Sequence, residues 1–166
     1  MKPENNGDRR AFLLGFLLVS AWVNVSEVFR YFVFVMPLTR AAFRQLENVA
    51  PMNVNVFLIW GIWDMILCFS ICVYVFLYFD RFGHGFRQVL AAGTLVWLTV
   101  FCIFWLGTYN MNLTTPTIPL VALPLAWIEM VVSAWIVAWT RSRQSTDSRG
   151  NGATTKVEQT MPATVT

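Results

Sequence analysis

"AFLLGFLLVSAWVNVSEVFRYFVFVM", Ala11–Met36, decides what kind of molecule this is. The hydrocarbon core of a bilayer is about 30 Å thick, and a helix crosses it with about 20 mostly apolar residues. This stretch is long enough to do so. Three further runs meet the same test: Val56–Phe79, Val89–Tyr109 and Ile118–Trp139. The breaks between them, "PLTRAAFRQLENVAPMN", "DRFGHGFRQ" and "NMNLTTPT", are rich in polar or turn-forming residues. The expected fold is an all-α integral membrane protein, a four-transmembrane-helix bundle with spans at about 11–36, 56–79, 89–109 and 118–139. No period of about 20–50 residues recurs along the chain, so the spans are not a repeat array.

Composition agrees. Of the 166 residues 57% are hydrophobic and only 13% charged, whereas a soluble domain carries about 25% charged residues. Eight Trp and fourteen Phe are more than one small globular core could hide. One compact domain is expected, residues 11–139, between a cytoplasmic tail at 1–10 and another at 140–166. The net charge of +3 is no sign of nucleic-acid binding, because the basic residues sit in short flanks between apolar runs rather than in one stripe. The bilayer itself is the expected partner.

The three cysteines, Cys68, Cys72 and Cys102, all fall inside spans. An odd number at bilayer depth argues against a disulfide framework, and they read as small buried hydrophobes. No phosphate loop, dinucleotide fingerprint, serine elbow, CxxC pair or HExxH motif occurs. With one histidine, His84, no pair exists to hold a haem between helices. Neither cofactor nor metal is expected, and no catalytic residue can be assigned. His84 lies between Gly83 and Gly85 in a basic turn that reads as an anchor for topology.

Orientation follows from the distribution of Lys and Arg. With the N-terminus inside, nine of the twelve lie in inner segments, while the outer loops hold only Arg40 and Arg44. Both termini are therefore expected in the cytoplasm, with the chain in a plasma (inner) membrane. "DRRAFLLGFLL" resembles a twin-arginine export signal; against a removable leader, the run is long and lacks a small-x-small cleavage site. "NLT" at Asn112 is a glycosylation sequon on the expected outer side.

The stretch from Arg141 to Thr166 is rich in Ser, Thr, Gly and Asn, has little to bury, and is expected to be disordered, as is "MKPENNGD". In the first outer loop, Leu38, Ala42, Leu46 and Val49 share one helical face while Arg40, Arg44 and Glu47 share the other. That pattern predicts a short amphipathic helix at the outer membrane surface.

Charged residues inside the spans are the informative ones. Ser20, Asn24, Glu27 and Tyr31 form one helical stripe, and Arg30 can pair with Glu27 three residues earlier. An ionised side chain at a helix centre costs about 2.5–3.5 kcal/mol on the insertion scale. Arg30 lies about 28 Å along the helix from Ala11, near the expected outer interface, where its stem could reach headgroups. Asp64 lies about 12 Å in from Val56, beside Trp60 and Trp63. Pro124 suits a first helical turn, which would put Glu129 in the outer half as well.

Three acids on three helices at one depth predict a polar pocket open to the outer side, since intramembrane ionisable residues usually face the bundle interior. The expected ligand-binding residues are Asn24, Glu27, Arg30, Asp64 and Glu129. Tyr31, Tyr109 and Asn110 are expected near the mouth, and Trp97, Phe101 and Trp105 as the apolar wall. The structural alternative for Glu27 and Arg30 is a pair that fixes helix rotation; for Asn24 it is interhelical glue.

Three functional classes fit this pattern. Binding or transport of a small amphiphilic or cationic ligand stands first. An accessory or assembly subunit of a larger membrane complex follows, with the outer helix and aromatic faces as docking surface. The third is an enzyme on a lipid-soluble substrate, using one carboxyl as acid and another as base. A chain this short would act as a homo-oligomer or beside another membrane protein. Four spans match the outline of small multidrug transporters and of four-span sterol-isomerase-like binding proteins. Neither family's signature can be laid onto these residues, so the outline carries no site.

Overall fold

The computed structural model describes residues 6–42 and 53–160, the side chains of 6, 8 and 144–160 excepted. Four helices are long and apolar enough to cross a membrane: Arg9–Ala42, Val54–Phe82, Phe86–Asn110 and Thr117–Arg143. Every regular element among the described residues is helical, so the chain is the expected four-helix membrane bundle.

The spans run up and down. Phe12, early in the first span, meets Phe69 and Phe76 late in the second. Trp97 and Thr94 of the third span bond Leu123 and Trp127 of the fourth. The turn between the second and third spans is made by two glycines. Gly83 adopts φ +79° and its N–H closes on the Phe79 carbonyl at 2.9 Å, while Gly85 caps the next helix in extended conformation. A side chain at Gly83 would be strained in that left-handed region. His84 is exposed between them.

At this end of the bundle Arg141 pairs with Asp80, donates to the Phe76 carbonyl at 3.2 Å, and stacks on the Phe76 ring. The core above it is built from small and branched side chains at helical spacing. Val19 and Val23, Cys68, Cys72 and Val75, and Ala126, Met130, Ala134 and Val137 are each 0–1% exposed. All three cysteines are free. The outward faces carry Leu13, Leu17, Ile59, Ile62, Ile66, Leu77, Ile103 and Leu106, all well exposed. In a protein without water around it, that is a lipid-facing surface rather than a defect.

The third and fourth spans come backbone to backbone at Gly93. A Cβ there would lie 2.7 Å from Val131 Cα and 3.0 Å from the Met130 carbonyl oxygen, so only glycine fits. Small residues at a crossing let two backbones touch, which is how membrane helices gain packing energy in the absence of water. The second and third spans behave differently. Their substantial contact is confined to Phe86–Val96, and beyond it they part.

Three expectations need correction. The first span does not end at Met36: the helix runs through a π-helical stretch at Tyr31–Val35 and on along a further α-helical segment, Met36–Ala42. Leu38–Ala42, expected in a separate surface helix, belong to this continuation, and the remainder of that expected helix lies outside the described residues. The fourth helix starts at Thr117, so Pro124 is inside it and not in its first turn. Pro119 takes the early position instead, where a missing N–H is tolerated. The helix is described as far as Thr160, and the first helix from Asn6.

Candidate functional site

Glu27, Arg30 and Glu129 form one buried network. Arg30 Nη1 donates to Glu129 Oε2 at 2.9 Å, and Nη2 donates to Glu27 Oε1 one helical turn away. The Arg30 side chain is only 12% exposed and its guanidinium lies over the Phe101 ring, 5.3 Å from the centroid. The expectation that it reaches headgroups therefore fails. With the helix continuing to Ala42, Arg30 is turned into the bundle, where the Glu129 carboxylate of another helix takes up its charge.

Glu129 is held from both sides. The Trp22 indole N–H donates to its carbonyl at 3.1 Å and the Ser133 hydroxyl to the same carbonyl at 2.8 Å. Its side chain is 2% exposed, and Oε1 has no hydrogen-bond partner. A charged pair buried this deeply is stable only when the geometry is good and the remaining lone pairs find donors. Here Oε1 is left without a donor.

Next to this network lies a cavity of about 420 Å³, in the gap where the second and third spans part. Glu27 and Arg30 contribute its polar wall. Tyr31, Trp60, Trp63, Phe101, Phe104 and Trp105 supply six aromatic rings, with Val35, Leu67 and Val100 between them. Both π-helical stretches, Tyr31–Val35 and Trp97–Cys102, contribute residues to this wall. A π turn places one extra residue in the turn and widens it, and such turns occur frequently at functional sites. A shallower groove continues from the cavity over Tyr31, Trp60 and Trp63 to Val56 and Ile59.

Asp64 stands apart from the aromatic cavity. It lines a small notch of about 40 Å³ with Asn24 and Glu27, on the outward face of the first and second spans. It is 4% exposed, and its Oδ1 has no partner. Asn24 is exposed and spends one amide hydrogen on the Ser20 carbonyl of its own helix, at 2.8 Å. Glu27 and Trp60 belong to both hollows and separate them.

Of the residues expected at the site, the structure brings Glu27, Arg30 and Glu129 into contact and sets Asp64 and Asn24 beside Glu27. Tyr31, Phe101 and Trp105 line the cavity as expected. Trp97 does not: its ring N–H donates to the Leu123 carbonyl at 2.8 Å, tying the third span to the fourth next to Pro124. Tyr109 and Asn110 are exposed, away from the lining. Leu67, Val100 and Phe104 were not anticipated. Helical spacing held the signal for part of this, since Trp60, Trp63 and Leu67 stand at i, i+3 and i+7.

The arrangement has the chemistry of an electrostatic and aromatic binding surface. Two carboxylates, Glu27 and Glu129, hold one guanidinium with Asp64 beyond them, and among the described residues no three acid, histidine or cysteine side chains cluster as metal ligands. Together, the spans and this buried polar network define a multi-pass integral membrane protein of the four-helix-bundle class. The chain matches no protein-family model, no curated protein and no solved structure.

Proposed function

We propose that this protein binds an amphiphilic organic cation, an apolar body carrying an amine or quaternary ammonium, in the cavity between its second and third spans. The observation that carries this reading is six aromatic rings beside the Glu27 carboxylate in a cavity of about 420 Å³. That volume falls in the range of small-molecule sites, about 300–1,000 Å³. Aromatic faces attract a cation by about 0.5–2 kcal/mol each, most when water is excluded.

Arg30 shares the wall without reversing its sign. Two carboxylates clamp it and Phe101 covers one face, so its charge is satisfied locally. On the distribution of Lys and Arg, the cavity would open toward the outer leaflet. Toward the other end the spans close on Val19, Cys68, Cys72, Val75 and Met130, each 0–1% exposed. That packing supports a site filled and emptied from one side rather than a path through the bundle.

The test uses two ions of one shape and opposite charge. The protein in lipid nanodiscs is titrated with tetraphenylphosphonium and with tetraphenylborate, following tryptophan fluorescence against protein-free nanodiscs. Saturable binding of the cation alone, weakened about tenfold by Trp105→Ala at unchanged melting temperature, is the expected result. Equal uptake of both ions, or indifference to Trp105→Ala, would mean simple partition into lipid and end this reading.

A further inference from the structure

We infer that the site exchanges protons for cations: the Glu27–Arg30–Glu129 network holds one proton while the cavity is empty and gives it up when a cation binds. This deepens the reading of the cavity as a cation site and rests on it.

The count of charges carries the argument. Arg30 brings one positive charge, and Glu27 and Glu129 bring two carboxyl groups, all on side chains no more than 12% exposed. With both acids ionised, the network keeps one uncompensated negative charge inside a bundle surrounded by lipid. A buried carboxylate without a counter-charge takes up a proton rather than stay ionised. One proton makes the empty network neutral. Hydrogen bonding picks the oxygen that holds it. Arg30 donates to Glu27 Oε1 and to Glu129 Oε2, whereas Glu129 Oε1 receives no hydrogen bond. An oxygen that no donor reaches is the poorest place for negative charge, and so the seat of the O–H.

The groups around Glu129 leave this count unchanged. Ser26 of the first span stands beside its carboxyl, but spends its hydroxyl hydrogen on the Val23 carbonyl at 3.1 Å. On the second span Asp64 and Cys68 lie near, an acid and a thiol that bring no positive charge. The third span has no charged residue after Arg87, and the fourth has none but Glu129 between Thr117 and Thr140. Among the described residues no cation other than Arg30 pairs with Glu27 or Glu129.

Arg30 is the lever between the two acids. Its Nη2 serves Glu27, which lines the cavity, and its Nη1 serves Glu129, which does not. A ligand cation beside Glu27 takes over part of the compensation there and leaves the guanidinium to Glu129. The Glu129 O–H bond then breaks with its electron pair kept on the carboxylate, and the proton passes to water by way of the cavity. Glu27 stays ionised throughout. One cation enters and one proton leaves, so that two positive charges face two carboxylates.

The full-length protein in lipid nanodiscs is titrated calorimetrically with tetraphenylphosphonium at a series of pH values. Each titration is repeated in two buffers of different ionisation enthalpy, which gives the number of protons released per cation. The expected result is a release approaching one proton. Protons compete with the cation, so affinity should rise with pH, by about tenfold per unit where the network titrates, because the coupling is reciprocal. Glu129→Gln removes the seat of the proton. Its release should fall to zero, with an affinity that no longer depends on pH and matches the low-pH affinity of the wild type. Asp64→Asn leaves the network intact and should keep the release near one. Saturable binding to the wild type without proton release, at an affinity independent of pH, would overturn the exchange and leave the binding reading standing. That count decides even if Glu129→Gln folds poorly. Release kept in Glu129→Gln would overturn it as well, and no saturable binding at any pH would end both readings.

Discussion

Gly93→Ala adds one methyl group at the point where the third and fourth spans touch. Its carbon would stand 2.7 Å from Val131 Cα and 2.9 Å from Val131 N, both backbone atoms that cannot rotate away. Reaching ordinary contact at 3.4 Å requires the helices to part by about 0.7 Å. Overpacking of this kind costs about 1–3 kcal/mol. Against it stands the helix propensity of alanine over glycine, about 1 kcal/mol. The control is Gly107→Ala in the same span, where a Cβ meets nothing within 4 Å and only the propensity gain applies. The two variants should therefore differ by about 2 kcal/mol, a factor of about 30 in the folded-to-unfolded ratio. Reversible unfolding by sodium dodecyl sulfate in mixed micelles, followed by tryptophan fluorescence, measures that difference. The same separation would draw the Trp97 indole away from the Leu123 carbonyl, so near-ultraviolet circular dichroism should change with Gly93→Ala and not with Gly107→Ala. Equal stability of the two variants would refute the close approach, and with it the placement of Phe101 against Arg30.

Three further outcomes are expected. Arg30→Met leaves Glu27 and Glu129 buried without their cation and should destabilise the protein by about 3–5 kcal/mol. Adding Glu129→Gln should recover part of that loss in the same unfolding assay; strict additivity of the two changes would disprove their contact. Trp97→Phe keeps the ring and removes only the N–H to the Leu123 carbonyl, a loss of about 1 kcal/mol in denaturant titration; a neutral result would mean water or lipid replaces that bond. Arg40 is exposed at the end of the bundle away from the Gly83–Gly85 turn. Arg40→Cys should react with an impermeant maleimide in intact cells if the N-terminus is cytoplasmic, and reaction only after permeabilisation would invert the topology.

The sequence made the spans legible because twenty apolar residues in a row have few alternatives to crossing a membrane. It also singled out Glu27, Arg30 and Glu129, because charge in an apolar run demands a partner. What it could not supply was the length of the first helix. The π-helical stretch at Tyr31–Val35 keeps that helix going past Pro37, and local pattern gives no sign of such a turn. Arg30 was therefore expected at an interface when it is interior. The fate of Trp97 was equally hidden. Its position on the third span allows either the cavity or the fourth span, and the choice depends on the Leu123 carbonyl being within reach. Gly93 shows the same limit: glycine inside a helix signals a close approach, but which backbone comes close is a tertiary fact.

The placement of the network has a consequence for biosynthesis. Chains are made from the N-terminus, and their spans become available in that order. Glu27 and Arg30 lie on one helix and pair within it, so the first span can leave the translocation machinery already neutralised. Glu129 is the only charged residue between Thr117 and Thr140, and its partner is on a helix made about a hundred residues earlier. The fourth span is thus the one whose charge finds its partner only across the bundle, through the Arg30–Glu129 bond at 2.9 Å. A ribosome stalled before Glu129 would leave a three-span intermediate with Arg30 half-satisfied.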